Sequence, residues 1–254
     1  MRHWIRLATT VALAGAPQAH AGPVLDVPAA PHNAHQVREF ASGLVAARLV
    51  RLERDALHGC ERHCERVGRV FQRLAEAAHE QSARAAELRL IVVRDEDTAA
   101  FSAPGGEIVI SERFIDRHAL NDAELAFVLA HEVMHVLLHH EAHAMALVAV
   151  SNGPNRRRPL ADLYEDLDAD LSLVLRLAPA FHEHEFEADW QGLLLASVAG
   201  FDPHEQAGFL HKLARDAAPG LQLTHPAGAR RLQRIEGMLP IAERAHGLAR
   251  IDRP

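Results

Sequence analysis

The chain has 254 residues, 48% of them hydrophobic and 24% charged, which is enough for one sizeable folded domain and too apolar for a disordered one. The formal net charge is -7, and every basic residue except Lys212 is an arginine. With an acidic balance and no aromatic-and-basic stripe, no nucleic-acid partner is expected.

Arg2 and Arg6 precede a short apolar core, Leu7 to Ala16, and Ala19-His20-Ala21 puts small residues at the two positions a signal peptidase reads. Residues 1–21 are therefore expected to be a signal peptide, cleaved after Ala21. The apolar core ends at Pro17, well short of the ~20 residues a helix needs to span a bilayer. An uncleaved N-terminal membrane anchor is the alternative. No cysteine follows the core, which excludes a lipid-modified cysteine there. Pro23, Pro28 and Pro31 make residues 22–33 a flexible leader, and residues 34–254 are read as a single domain.

From about Asn33 to Glu87 the apolar spacing is helical. Phe40, Leu44, Ala47, Leu49 and Leu52 form one face, and Val67, Val70, Phe71 and Leu74 form another after a break near Gly59. Cys60 and Cys64 would share a face if their segment is helical. An exported chain meets an oxidising compartment, so a disulfide or two free thiols is expected in preference to a metal site with His58 and His63.

The period then changes. Leu88 to Val93 and Glu107 to Ser111 read as strands, separated by the turn Ala103-Pro104-Gly105-Gly106, which predicts a hairpin. This hairpin is either purely structural or an exposed edge to which an extended substrate can add by main-chain bonds.

Ala123 to His143 holds the arrangement around which the rest is organised. His131 and His135 lie one helical turn apart, so both imidazoles can hold one zinc ion while Glu132 reaches its water, an HExxH pattern. Asn121 or Asp122 can cap this helix, and Leu125, Val128, Leu129, Val133, Val136 and Leu137 supply its apolar face. Because 19 residues are His, about 0.1 such matches arise by chance, so the motif needs support elsewhere.

Residues 151–159 read as a loop, and residues 160–180 as an acidic, solvated helical face. Glu185 and Asp189, four apart, can share a helix face: Glu185 completes the zinc site and Asp189 orients a liganding histidine. Glu187 points elsewhere on that reading, while Gly192 allows close helix approach. His225, before Pro226, is held extended and aimed into a cleft, and a last helix runs to about Ala249.

Together these stretches resemble metallopeptidase family forty-eight, the group of HtpX-like and CaaX prenyl-protein endopeptidases. The resemblance rests on HExxH at 131–135, Glu-Phe-Glu-Ala-Asp at 185–189 with Gly192, Ala-Gly-Phe-Asp-Pro at 199–203, and Thr-His-Pro with an arginine six residues after the histidine. It covers roughly Leu88 to Leu239. It implies an α+β, mostly α, zincin-like (gluzincin) fold with a small antiparallel sheet beside the HExxH helix.

By resemblance, one Zn2+ per chain is held by His131, His135 and Glu185, with Glu132 the catalytic base and Asp189 behind the ligands. His225 and Arg231 are expected to stabilise the reacting oxygen, or His225 to cap the zinc at rest. Ala100-Phe101-Ser102-Ala103-Pro104-Gly105-Gly106 and the following strand look like the family's substrate-binding edge, with Gly106, Glu107, Ile108, Val109 and Ile110 expected to bind the substrate. Ala99 stands where the family often has Asn.

The membrane helices of the HtpX-like branch and a tetratricopeptide extension are both missing, so the expected match is the soluble periplasmic branch. That branch implies unfolded or misfolded envelope proteins as substrates and peripheral association with outer-membrane assembly machinery. The rival reading is a zinc-binding, chaperone-like protein that holds clients with little cleavage. The plan HExxHxxGxxH is excluded, because Leu138 and Glu141 occupy its glycine and third-histidine positions. His139, His140 and His143 are left without a metal role.

Overall fold

The computed structural model describes residues 32–55, 57–151, 158–216 and 225–251. The expected signal peptide, most of the leader and much of the expected loop at 151–159 lie outside these residues.

Helix α1 (Ala34–Arg54) starts at Asn33, whose side chain accepts from Gln36 N while Gln36 returns a bond to the Asn33 N–H, a capping box. Helix α2 (Cys64–His79) follows, and it turns Val67, Val70 and Leu74 inward at helical spacing. Cys60 and Cys64 are joined as a disulfide. A disulfide was one of the two expected states; Cys60 lies outside the helix, so the condition for a shared helix face is not met and the bond closes a loop. Within that loop the N–H groups of Glu61, Arg62 and His63 donate to the buried Glu112 carboxylate.

Strands β1 (Arg89–Val93), β2 (Ala100–Ser102) and β3 (Glu107–Ser111) make a three-stranded sheet in the order β1-β3-β2. The expected antiparallel sheet is corrected here to a mixed one. β1 runs parallel to β3, with Ile91 opposite Val109, and the antiparallel hairpin is formed by β2 and β3, with Phe101 opposite Val109. β3 is therefore the central strand, buried along its length. Its main-chain groups are used on both sides, so Glu107, Ile108, Val109 and Ile110 cannot form a free substrate edge, and Gly106 sits in the turn before them. The edge nearer the HExxH helix is β2.

Helix α3 (Glu112–Arg117) leads to α4 (Asp122–Leu137), which Asn121 and Glu124 start with a second capping box. α4 is apolar on nearly every face because it runs through the centre of the main core, against α2, α7 and α8. It ends at Leu138, and His139 turns the chain at φ 59° into α5 (His140–Ser151). The segment expected to be one acidic face is two helices, α6 (Leu160–Ala169) and α7 (Leu171–Val198). They divide at Asp170, whose carboxylate caps α7 through Ser172 N and Leu173 N. α8 (Pro203–Asp216) and α9 (Gly228–Ile251) cover α4 and α7.

Gly192 on α7 lies against α4 so closely that an added Cβ would stand 2.9 Å from His131 N. Among the described residues no single helix is long and apolar enough to cross a membrane; α4 and α5 pass that test together, bent by 55°.

Candidate metal and catalytic site

α4 and α7 pack face to face and bring their polar residues to one point. His131 Nε2 is 3.0 Å from His135 Nε2 and 3.5 Å from Glu185 Oε2, and His135 Nε2 is 3.3 Å from Glu185 Oε1. Tetrahedral ligation at about 2.0–2.1 Å places donor atoms roughly 3.3–3.4 Å apart, so this spacing fits a zinc-sized ion. Two imidazole nitrogens and a carboxylate are also the donor chemistry of a zinc site with one open position.

The electrostatics point the same way. Burial pushes the Glu185 pKa up, but charge on His131 and contacts from His135 and His225 hold it well below the usual carboxylate value. Burial opposes charge on His135 too, yet Glu185 and the nearby Glu132 raise its pKa. The centre of the site thus favours positive charge. Glu185 Oε2 is buried without an aligned hydrogen-bond donor, although His225 Nδ1 stands 2.8 Å away at ion-pair distance.

Asp189, one turn beyond Glu185, accepts at Oδ1 from His131 Nδ1 at 3.0 Å. That contact puts the imidazole proton on Nδ1 and leaves Nε2 bare for a metal. Burial raises the Asp189 pKa, and Arg231 and His131 more than offset it. Arg231 is buried beneath the ligands with Nε 2.8 Å from Asp189 Oδ2 and Nη1 3.6 Å from Glu185 Oε2. Arg231 thus holds two carboxylates, and it shares both the contact with Glu185 Oε2 and a cavity beside Glu132 with His225, the residue expected to act with it. His225 stands at the mouth of the site.

Two contacts were not anticipated from sequence. Ser102 Oγ, on β2, donates to Glu132 Oε2 at 2.9 Å. His140 Nδ1 is 2.9 Å from His135 Nδ1, and its ring stacks on His184 at 4.6 Å. Five residues after His135, His140 would face away on a straight helix; the turn at His139 brings it back. His139 itself bonds Arg84 and His143 bonds His184.

The site opens on two sides. One cavity, of about 400 Å³, is bounded by Phe101, Met145, Val174 and Phe181 with His135 and Glu185. The other, of about 420 Å³, is bounded by Phe114, Phe127 and Phe209 with His131 and Arg231. Ala100, Glu132 and His225 line both.

Comparison with known proteins adds the lineage. The family model described as Peptidase family M48 matches residues 61–239. The mitochondrial metalloendopeptidase OMA1 of Schizosaccharomyces pombe is 35% identical over 162 residues, 61% of this chain and 47% of that protein. OMA1 of Saccharomyces cerevisiae is 30% identical over 200 residues, 70% of this chain and 56% of that protein. The beta-barrel assembly-enhancing protease of Yersinia pestis is 29% identical over 162 residues, 56% of this chain and 32% of that protein. The chain thus spans from about a third to just over half of these relatives' lengths.

Proposed function

The chain belongs to peptidase family M48, and from that membership we propose that it is an exported, zinc-dependent metalloendopeptidase of gluzincin type acting in cell-envelope protein quality control. The observation that carries the reading is the triangle of donor atoms on His131, His135 and Glu185, with Glu132 next to the first of them. On this reading residues 1–21 are the signal peptide, 22–33 the leader and 34–254 one peptidase domain.

His131, His135 and Glu185 would hold a zinc ion, which would supply a Lewis acid able to acidify water and polarise a peptide carbonyl. Glu132 takes the proton of the attacking water and delivers it to the leaving nitrogen, and the Ser102 hydroxyl holds its carboxylate in place. His225 faces the same opening and is positioned to donate to the carbonyl oxygen or, without substrate, to close the site. An extended substrate adds to the free edge of β2 at Ala100–Ser102, with side chains entering the two cavities. Space on both sides of Glu132 favours cleavage within a chain over removal of terminal residues.

Export is supported by Arg2, Arg6 and the Ala19-His20-Ala21 site, and an envelope role by the similarity to beta-barrel assembly-enhancing proteases. Unfolded or misfolded envelope proteins are the proposed substrates, and outer-membrane assembly machinery the proposed peripheral partner. The purified chain should cleave casein, lose that activity to a chelator and regain it with about one zinc per chain. Cleavage unaffected by chelation would contradict the proposal. Fractionation of cells should find the processed chain in the periplasm, and recovery with the membranes would favour the anchored alternative.

A further inference from the structure

We propose that Arg48, on α1, is a positioning residue for β2: it holds in place the three-residue strand whose free edge receives the substrate. The inference rests on the strand-addition reading above. α1 lies ahead of residues 61–239, the part that the family model matches.

Among the described residues β2 has one strand partner, β3. Ser111 N donates to Ala99 O at 3.0 Å and Ala103 N donates to Glu107 O at 2.9 Å. Bonded and non-bonded pairs alternate along an antiparallel ladder, so Phe101 is the bonded partner of Val109, and the main-chain groups of Ala100 and Ser102 face the free edge. Those are the groups an added strand would use. The side chains alternate as well. Ser102 turns to α4, where it holds Glu132, and Phe101 turns to the opposite face of the sheet, where it packs with Val45 and Leu52 of α1.

A strand this short, paired on one side, is held weakly by its ladder alone. Arginines hold both of its ends. At the far end Arg84 donates to Pro104 O at 2.9 Å and to Val136 O of α4 at 3.0 Å. At the near end Arg48 Nη2 donates to the buried Thr98 Oγ1 at 2.7 Å and lies 3.5 Å from Asp95 Oδ2. The same guanidinium stands over the Phe101 ring, 5.1 Å from its centroid, within the range of a cation–π contact. Thr98 donates in turn to Asp95, whose carbonyl accepts from Ser111 Oγ at 2.5 Å. Arg48 therefore ties α1 both to the approach to β2 and to the aromatic side chain in its middle.

Without Arg48 the strand should be docked only part of the time. Substrate adds to the docked strand, so its apparent affinity falls by the docked fraction. Bound substrate then restores the strand, and with it the contact of Ser102 with Glu132. KM should rise while kcat holds, which separates Arg48 from a residue that acts on the chemical step.

The test uses the zinc-loaded chain, a quenched fluorescent casein peptide and amide hydrogen exchange. The Arg48 side chain is 40% exposed, so Arg48→Met should fold and keep its zinc. Its KM should rise roughly three- to fivefold at unchanged kcat, the result of a docked fraction of about a third to a fifth. The Phe101 amide should exchange about tenfold faster, with β1 amides unchanged. Arg48→Lys, which keeps a cation over the ring, should stay within about twofold of wild type. If Arg48→Met does not fold, Thr98→Val removes the oxygen that Arg48 bonds and should speed Phe101 exchange about threefold.

Unchanged KM in Arg48→Met, a fall in kcat at constant KM, or exchange that rises equally at Phe101 and along β1 would each overturn the proposal. Faster exchange at Phe101 in a chain that cleaves nothing would remove the peptidase reading and leave the hold of Arg48 on β2 standing.

Discussion

Arg231 and Asp189 meet inside the protein through two hydrogen bonds, Nε to Oδ2 at 2.8 Å and Nη2 to Oδ1 at 2.5 Å, and the same Oδ1 lies 3.0 Å from His131 Nδ1. An arginine on α9 therefore sets a histidine on α4 through a carboxylate on α7. The pair is a structural brace as well as part of the site.

Arg231→Met is expected to strip Asp189 of its counter-charge in a buried place. Removing one partner of such a pair costs about 3–5 kcal/mol, so urea unfolding should show a loss of that size together with weakened zinc binding. A change under ~1 kcal/mol would mean that Asp189 is held by His131 alone, since that is the scale of an exposed pair.

Gly192→Ala puts a methyl group 2.9 Å from His131 N and 3.1 Å from Ala130 C, both backbone atoms of α4. Neither can swing away, so the helices must separate and carry Glu185 away from His131. A stability loss of about 1–3 kcal/mol is expected from overpacking, with reduced zinc content, measured by thermal unfolding and metal analysis.

Ser102→Ala removes the 2.9 Å bond to Glu132 and nothing from the metal ligands. kcat/KM should fall about tenfold, equivalent to ~1.4 kcal/mol, the lower end for a hydrogen bond to a charged group. Zinc content should stay at the wild-type level, and an equal loss of zinc would show that the residue acts on the metal site as a whole.

Burial, with the neighbouring His140 and His143, depresses the His184 pKa from 6.5 to about 3. Its folded pKa lies below the unfolded one, so between those values the unfolded chain binds more protons. Stability should therefore decline as pH falls through 6.5 towards 3, with a slope of at most about 1.4 kcal/mol per unit from this residue. His184→Gln should flatten part of the decline between pH 7 and pH 5 in urea midpoints; an unchanged slope would exclude His184 as a source.

The parts of the site legible in the sequence were those set by local helical spacing. His131, His135, Glu185, Asp189 and the close approach at Gly192 follow from residues three and four apart on helices, and the structure brings them together. Sheet order was not legible. Leu88–Val93 is an apolar run that suits a parallel or an antiparallel neighbour equally. β2 is three residues long, too short for alternation to mark it as a strand, so in the sequence β3 reads as part of the edge when it is the central strand. His140 was missed because its contact with His135 depends on a helix break at His139, a non-glycine residue with positive φ. The commitment of Arg231 to Asp189 is a contact across 42 residues of chain, and periodicity carries no information about it.

The most direct test of the account compares wild type with Glu132→Gln for casein cleavage and zinc per chain on the same purified samples. Glu132 stands beside the ligands without being one of them. The variant should keep about one zinc and lose cleavage by several orders of magnitude, because binding and proton transfer belong to different carboxylates. Cleavage that survives in Glu132→Gln with zinc bound would contradict the assignment of the base, and with it the proposed chemistry.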